Sequence, residues 1–281
     1  MSLFWYFCML YKFGIKLLQF VGIKLLSFEL RLVFFSQLLV VKYINELVKA
    51  NKEGGKTIFD GTFLNRSSWD AALLAAGTTL SSMKYLLDGH GNIAYALVRP
   101  PGHHAQPTQA DGYCFLNNAG IAVHLALNSS CEKVAVVDIN VHYGNGIAQG
   151  FYESNKVLTI FLHMNHGSWG PHHPQSRVID ELGDGEGFGY NLNMPLPNGI
   201  GDRGYGYAMI ELVVSAIEKF EPDMMVLVVG KDSSVFNIKT CFCYIILYII
   251  MIICFLILKW TCNYKSFIFV ICTLLENYTS I

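Results

Sequence analysis

Aspartate, asparagine and histidine side chains follow an apolar run in residues 134–146, which read V-A-V-V-D-I-N-V-H-Y-G-N-G. Apolar residues without a polar interruption are typical of a strand buried on both faces of a parallel sheet, and the closing Gly-Asn-Gly predicts a tight turn. Asp138, Asn140 and His142 alternate where this strand would end. An extended backbone would place them on one side, with Ile139 and Val141 on the other. A carboxylate, an amide and an imidazole at the carboxyl end of a strand predict a metal site.

Two other predicted strands end in groups of the same kind. Residues 93–98 are followed by R-P-P-G-H-H, which contains His103 and His104, and residues 224–229 are followed by Asp232. The prolines restrict the backbone before the two histidines and so favour fixed ring positions. Asp232 alone could equally cap a helix. Because the carboxyl ends of parallel strands meet at one edge of a sheet, we expect the three groups to form one site.

The elements that would position these groups alternate between strand-like and helical segments. Apolar runs predict strands at residues 93–98, 134–138, 157–163 and 224–229. Helices are predicted at residues 43–51, 69–87, 117–127 and 204–220, with Ser67 or Ser68 as the cap of the second. This alternation predicts an α/β fold in which a parallel sheet is covered on both faces.

Length, charge and cysteine content restrict the class of protein. The 281 residues are enough for one large α/β domain with a sizeable core. The formal net charge is −1 and Lys and Arg do not cluster, which argues against direct binding of nucleic acid through a basic patch. The 8 cysteines are scattered without a C-x-x-C pair, so a reduced interior fits better than a secreted, disulfide-bonded protein.

Both ends of the chain are unusually apolar. Charged residues interrupt residues 1–42, so that no uncharged span there is long enough to cross a bilayer comfortably. Residues 240–258 carry no charge and are long enough for one transmembrane helix. Translation of AT-rich non-coding sequence would give the same composition. Hydropathy leaves both interpretations open, and membrane contact through this tail is one hypothesis.

Four segments resemble the successive motifs of one enzyme family. They are R-P-P-G-H-H-A at 99–105, D-G-Y-C-F-L-N-N at 111–118, D-I-N-V-H-Y-G-N-G at 138–146 and V-V-G-K-D-S-S at 228–234. In this order they look like the zinc-dependent histone deacetylases, and most of all the class II type that shares ancestry with acetylpolyamine amidohydrolases. The resemblance divides the chain into an apolar segment at 1–42, a partial deacetylase domain at 43–237 and an apolar tail at 238–281.

The resemblance implies a fold and an activity. The fold is the arginase/deacetylase three-layer α/β sandwich around a central parallel sheet, here C-terminally incomplete, which would leave a sheet edge unpaired. The activity is zinc-dependent removal of acetyl groups from acetyl-lysine in histones or other proteins, or from acetylpolyamines, in the nucleus or the cytoplasm. Zinc suits this chemistry because it lowers the pKa of bound water to about 7, and an adjacent imidazole can carry the proton to the amine leaving group.

The resemblance also implies which residues hold the metal and move the proton. The zinc ligands would be Asn140, His142 and Asp232. His103 and His104 would orient and deprotonate the bound water, and one of them would protonate the departing amine. Three protein ligands would leave positions open for the water and the substrate carbonyl oxygen.

Supporting roles follow from the same resemblance. Asp138 would support the first histidine and help to hold a potassium ion, and Asn145 would orient the second histidine. Gly112 and Tyr113 would line the narrow channel that accepts the acetyl-lysine side chain. These four residues would shape the site without binding zinc.

Three departures from the family pattern predict an impaired enzyme. Asn140 stands where the family has a ligating aspartate, so the zinc site loses a negative charge. Phe161 stands where the family usually has a serine of the potassium site. The Gly-Gly-x-Tyr segment that polarises the substrate carbonyl has no counterpart, and losing one such donor typically costs roughly 10²–10³ in rate. The alternative hypothesis is therefore a catalytically inactive relative that binds partners or a membrane, or a truncated gene product.

Overall fold

The structure is a computed structural model of the chain. It describes residues 41–59, 61–165, 179–197 and 200–230, together with the backbone of residues 266–272. Asp232 and the apolar segment at 240–258 therefore lie outside the described residues. Within the described ranges, no helix combines the length and the apolar character needed to cross a membrane.

Two sheets form in the described part of the chain. In chain order the strands are β1 (Gly55–Phe59), β2 (Thr62–Asn65), β3 (Ile93–Val98), β4 (Val134–Asp138), β5 (Val157–Met164), β6 (Asn191–Leu196), β7 (Met224–Gly230) and β8 (Ser266–Cys272). β1 and β2 pair as an antiparallel hairpin. The other strands form a 6-stranded sheet in the order β3-β8-β7-β4-β5-β6. Every pairing in this larger sheet is parallel.

Helices connect the parallel strands and cover the sheet. They are α1 (Val41–Lys52), α2 (Ser68–Leu87), α3 (Asn118–Leu127), α4 (Asn145–Phe151), α5 (Asp202–Ala208) and α6 (Ser215–Phe220). A 3₁₀ turn lies at Gly185–Gly187. The helix predicted at 204–220 is present as α5 and α6, but π-helical residues Met209–Val214 join them where a continuous α-helix was expected.

Alternate residues of the central strands pack into cores on opposite faces of the sheet. In β4, Val134 and Val136 pack with residues of α1, α2, α3 and α4. Ala135 and Val137 pack on the other face with the helical residues 208–220. Because both faces are buried, the strand sequence shows no polar alternation. The predicted three-layer α/β sandwich with a central parallel sheet is confirmed.

The predicted elements agree well with the observed ones. All four predicted strands are present, with ends that differ by at most one residue. The helix predicted at 117–127 begins one residue later, because the Asn117 side chain caps it by accepting a hydrogen bond from the Gly120 N–H. Ser67 occupies the N-cap position of α2 but makes no side-chain capping bond, and the Ser68 hydroxyl accepts from the Asn65 N–H instead. Neither serine therefore caps α2 as predicted.

Several elements were not predicted from the sequence. The hairpin, α4, β6 and β8 are new, and the Gly-Asn-Gly predicted as a tight turn marks the start of α4, with Gly144 at its N-cap. An unpaired sheet edge was also expected, and the outermost strands of the described sheet are β3 and β6. The backbone of β8 lies between β3 and β7 and pairs in parallel with both. The apolar tail thus contributes one strand to the sheet of the described chain.

Replacing Gly77 by alanine is expected to stabilise the protein. Gly77 lies inside α2, and a Cβ atom added there would meet no atom within 4 Å. Alanine reduces the conformational freedom of the unfolded chain, so the free energy of unfolding should rise by about 0.4–1 kcal/mol. Gly89→Ala is the control, because Gly89 also lies in open space but has φ of +73° and should lose stability. Urea denaturation of both variants measures the difference, and a loss at both positions would contradict the prediction.

Candidate active site

The chain bends at the end of β4 and does not continue as a strand. Asp138 is buried, and its Oδ1 accepts a hydrogen bond from the Asn140 N–H at 3.0 Å. The Asn140 Oδ1 accepts from the His142 N–H at 2.7 Å. Each side chain therefore closes a turn onto the residue two positions later. The prediction of an extended backbone through these three residues is wrong beyond Asp138, because local hydrogen bonds replace the strand.

The first of the two adjacent histidines is a buried partner of Asp138. His103 is 5% exposed, and its Nδ1 lies 2.9 Å from the Asp138 Oδ2. A carboxylate oxygen can only accept, so this contact favours the hydrogen on Nδ1 and leaves Nε2 as the basic atom of the neutral ring. The N–H groups of Gly146 and Ile147 donate to the His103 carbonyl oxygen at 2.9 and 3.2 Å. The first turn of α4 therefore holds this histidine from its backbone side.

The second histidine is held by an amide. His104 Nδ1 lies 2.7 Å from the Asn145 Oδ1. The rings of His103 and His104 lie side by side, with centroids 3.9 Å apart. The His142 ring lies at 6.0 Å from the His104 ring, measured between centroids. The structure thus brings His103 and His104, which follow β3, close to His142, which follows β4. In the sheet itself, β8 and β7 lie between β3 and β4.

Three residues of this arrangement were missed in the sequence. Asp111 Oδ2 accepts hydrogen bonds from Asn145 Nδ2 at 2.9 Å and from Gln106 Nε2 at 3.3 Å. At Gly144, a Cβ atom would overlap the Asp138 Oδ2 and lie 3.0 Å from the Phe161 ring. The signal for Asp111 was its place directly before the predicted channel residues. Gly144 stands at the end of the same segment as Asp138, but the close packing against it depends on the fold.

The predicted channel residues form a tight turn next to the second histidine. Gly112 has φ of +48° and Tyr113 has φ of 64°, and the backbones of Asp111 and Cys114 bond to each other across this turn. A Cβ atom at Gly112 would overlap the His104 ring. The Tyr113 side chain is 59% exposed, and its N–H donates to the Thr62 hydroxyl at 3.1 Å. The β1–β2 hairpin therefore supports an exposed tyrosine beside the partly buried His104.

Gly112→Ala is expected to disturb the second histidine. The added methyl group would overlap the His104 ring, and overpacking of this kind typically costs about 1–3 kcal/mol. The backbone strain at positive φ adds to this effect, so a control with the same strain is needed. Gly185 has φ of +53° and open space around it, which makes Gly185→Ala that control. Urea denaturation should show the larger loss for Gly112→Ala, and equal losses would mean that the contact with His104 is unimportant.

Comparison with known proteins decides the family. The sequence profile described as the histone deacetylase domain matches residues 38–244. The chain belongs to the histone deacetylase family. The chain is 66% identical over 198 positions to histone deacetylase 8 of Arabidopsis thaliana, and this match covers 70% of this chain and 52% of that protein. It is 35% identical over 193 positions to the acetylpolyamine amidohydrolase of Burkholderia pseudomallei, and this match covers 68% of this chain and 55% of that protein.

Solved structures agree with the family and with the fold. The crystal structure of the HDA15 HD domain superimposes with a TM-score of 0.78 at 25% identity, over 95% of this chain and 76% of that one. The acetylpolyamine aminohydrolase from Burkholderia pseudomallei superimposes with a TM-score of 0.77 at 24% identity, over 95% and 83% of the two chains, and supports the fold alone. The chain spans about half the length of these curated relatives.

The described part of the chain supplies an incomplete set of zinc ligands. Zinc in proteins is bound by imidazole, thiolate and carboxylate groups. Among the described residues, no group of three His, Cys, Asp or Glu side chains could hold a metal ion. His142 is a suitable ligand type, Asn140 offers a neutral amide oxygen that already accepts the His142 N–H, and Asp232 lies outside the described residues. The described donors alone therefore do not fit a complete zinc site.

Phe161 stands where the family usually has a serine of the potassium site. Phe161 is fully buried, and its ring lies 4.8 Å from that of Tyr143, between centroids. A phenyl ring has no oxygen to offer, so Phe161 cannot replace a ligating serine. His163 is close by, with its ring 5.1 Å from Tyr143. Burial lowers the pKa of His163, although the Met164 carbonyl and Asp138 oppose this shift.

Proposed function

We propose that this chain is the catalytic part of an amidohydrolase that removes acetyl groups from acetyl-lysine side chains or from acetylpolyamines. The pair of adjacent imidazoles, each held through Nδ1 by an oxygen acceptor, carries this proposal. Such a pair can accept a proton from an attacking water and return it to a poor amine leaving group. Family membership supports the reaction class. The substrate is proposed to be a histone, another acetylated protein or a polyamine.

The roles proposed for the two histidines follow from their surroundings. His103 is buried and bonds to the Asp138 carboxylate, which stabilises the ring when it gains a proton. His104 is only partly buried, and its Nδ1 bonds to the neutral amide of Asn145. Both rings would take part in orienting the water and moving its proton. Gly112 and Tyr113 are proposed to line the approach of the acetyl-lysine side chain, beside the His104 ring.

The metal requirement is proposed from the family. His142 and Asp232 would hold zinc, with Asn140 as a weak third ligand. When bound, zinc supplies a water whose pKa is about 7. Potassium near Asp138 is proposed in the same way, with a weaker site because of Phe161. An impaired enzyme is the expected result of these substitutions.

The cellular setting belongs to the same proposal. Residues 43–237 would form the partial deacetylase domain, flanked by segments 1–42 and 238–281. A nuclear or cytoplasmic location accords with substrates of the family, and contact with a membrane through 240–258 is a separate proposal that rests on hydropathy. The catalytically inactive alternative is favoured by one observation, the neutral Asn140 at a proposed ligand position.

Turnover of simple substrates tests the proposal. The full chain is purified with added zinc and incubated with an acetyl-lysine peptide and, separately, with an N-acetylated polyamine. We expect measurable deacetylation of one of them and its loss in a His103→Gln, His104→Gln double variant. His90→Gln is the control, because His90 is exposed and lies outside the site. A folded, zinc-loaded chain that releases no acetate from either substrate would favour the inactive alternative.

A further inference from the structure

A chain of polar side chains connects the second histidine to a carboxylate. His104 Nδ1 lies 2.7 Å from the Asn145 Oδ1, and the Asn145 Nδ2 donates to the Asp111 Oδ2 at 2.9 Å. Gln106 Nε2 donates to the same oxygen at 3.3 Å, from a buried side chain. The amide of Asn145 is therefore held between an imidazole and a carboxylate.

The carboxylate decides which way this amide faces. The two ends of a carboxamide have nearly the same shape, so packing alone does not choose between them. They differ in hydrogen bonding, because the oxygen accepts and the NH₂ group donates. Asp111 as a carboxylate can only accept. It therefore takes the NH₂ group of Asn145 and turns the amide oxygen towards His104.

The orientation of the amide in turn selects the tautomer of His104. An oxygen facing Nδ1 requires a hydrogen on Nδ1, which leaves the lone pair of the neutral ring on Nε2. With the amide reversed, its N–H would face Nδ1 and the hydrogen would move to Nε2. A base needs a free lone pair at the atom that takes the proton. The reversed amide would remove that lone pair from Nε2.

Asp111 is itself fixed in place by its backbone. Its N–H donates to the Cys114 carbonyl at 3.3 Å, and its carbonyl oxygen accepts from the Cys114 N–H at 2.7 Å. We propose that Asp111 is a positioning residue, which orients the amide of Asn145 and through it holds His104 as the Nδ1–H tautomer. This inference rests on the proposed function, because it assigns the basic atom of the second histidine.

Nuclear magnetic resonance of the histidine ring nitrogens tests the proposal without any turnover. The full chain is labelled with ¹⁵N-histidine, and long-range ¹H–¹⁵N spectra are recorded at about two pH units above the ordinary histidine pKa of ~6.5. The His104 signals are assigned by their loss in His104→Gln. We expect the Nδ1–H tautomer in the native chain and a substantial Nε2–H fraction in Asp111→Ala.

Two further variants separate orientation from general damage. Gln106→Met removes the other hydrogen bond to Asp111 and should leave the tautomer unchanged. The exchange variant Asp111→Asn with Asn145→Asp places the carboxylate next to His104 and the amide behind it, so it should restore the Nδ1–H form. A folded Asp111→Ala chain that keeps only the Nδ1–H form would overturn the proposal. So would an exchange variant that fails to restore it.

The same variants keep this inference distinct from the proposed function. If the native chain deacetylates a substrate, Asp111→Ala should lower kcat by about 10–100-fold with little change in KM, because positioned bases contribute about 10²–10⁴. A tautomer change without any native turnover would support the role of Asp111 and contradict the proposed activity. Turnover by the native chain together with an unchanged tautomer in Asp111→Ala would support the proposed activity and contradict the role of Asp111.

Discussion

An Asn140→Asp variant is expected to bind zinc at least about 10–100-fold more tightly than the native chain. Mutation of a residue that only hydrogen-bonds to a metal ligand typically lowers metal affinity by about 10–100-fold, and a change of the ligand itself should have a larger effect. The variant replaces a neutral amide oxygen by a carboxylate, which is a normal zinc ligand. It should also keep the local backbone, because a carboxylate oxygen can accept the His142 N–H as the amide oxygen does now.

Asn140→Asp should stabilise the protein when zinc is bound and destabilise it when zinc is absent. Residue 140 is 4% exposed, and its N–H bonds to the Asp138 carboxylate. A second buried carboxylate next to Asp138 is unfavourable without a cation. Without zinc, the variant should therefore melt at a lower temperature than the native chain. With zinc at 100 times its Kd, binding adds about 2.7 kcal/mol, and the variant should melt at a higher temperature.

A matched control adds the same charge at the surface. Asn65 makes the same kind of turn, because its Oδ1 accepts the Ser67 N–H at 2.9 Å, but its side chain is exposed. Asn65→Asp should leave zinc affinity unchanged. Competition with a chromophoric chelator measures the affinity of each chain. If Asn140→Asp also left it unchanged, the proposed ligands would not form a common site.

The sheet was predictable from the sequence because its strands are buried on both faces. Runs of consecutive apolar residues such as V-A-V-V are typical of strands that lie between two helical layers, and the observed cores lie on both sides of β4. The paired histidines were predictable for a similar reason, because two prolines and a glycine precede them. Both signals are local and need no knowledge of distant partners.

One strand of the sheet comes from the apolar tail and was not predicted. It is β8, at Ser266–Cys272, whereas the predicted membrane segment at 240–258 lies outside the described residues. A central parallel strand and a membrane helix are both continuous apolar runs, and composition does not distinguish them within a short segment. Pairing with β3 and β7 depends on strands that lie far away in the sequence.

The supporting residues of the site could not be predicted from spacing. Asp111 reaches Asn145 across 34 positions, and His103 reaches Asp138 across 35. The bend after β4 was also hidden, because alternating polar residues are typical of a strand as well as of successive side-chain turns. Only the hydrogen bonds of Asp138 and Asn140 distinguish the two.

Asp138→Asn is expected to lower the free energy of unfolding by about 1.5–3 kcal/mol. The carboxylate accepts two buried hydrogen bonds, from the Asn140 N–H and from His103 Nδ1. The amide has the same size, so no cavity forms. Its oxygen can keep the bond to Asn140, but its NH₂ group then faces Nδ1. The loss corresponds to one hydrogen bond to a charged group, which is typically worth about 1.5–3 kcal/mol.

A second aspartate tests whether burial is the reason for this cost. Asp223 also accepts two hydrogen bonds, from the Glu132 and Lys133 N–H groups at 2.7 and 3.1 Å, but these bonds are exposed to solvent. Water can replace a lost partner there, so Asp223→Asn should cost less than about 1 kcal/mol. Urea denaturation of both variants, in the absence of zinc, measures the two losses. Removing the buried charge of Asp138 also relieves its desolvation, which opposes the loss. If the two variants lost equal stability, the gain from removing the buried charge would offset the loss of the bond to His103. Asp138 would then position the histidine without stabilising the fold.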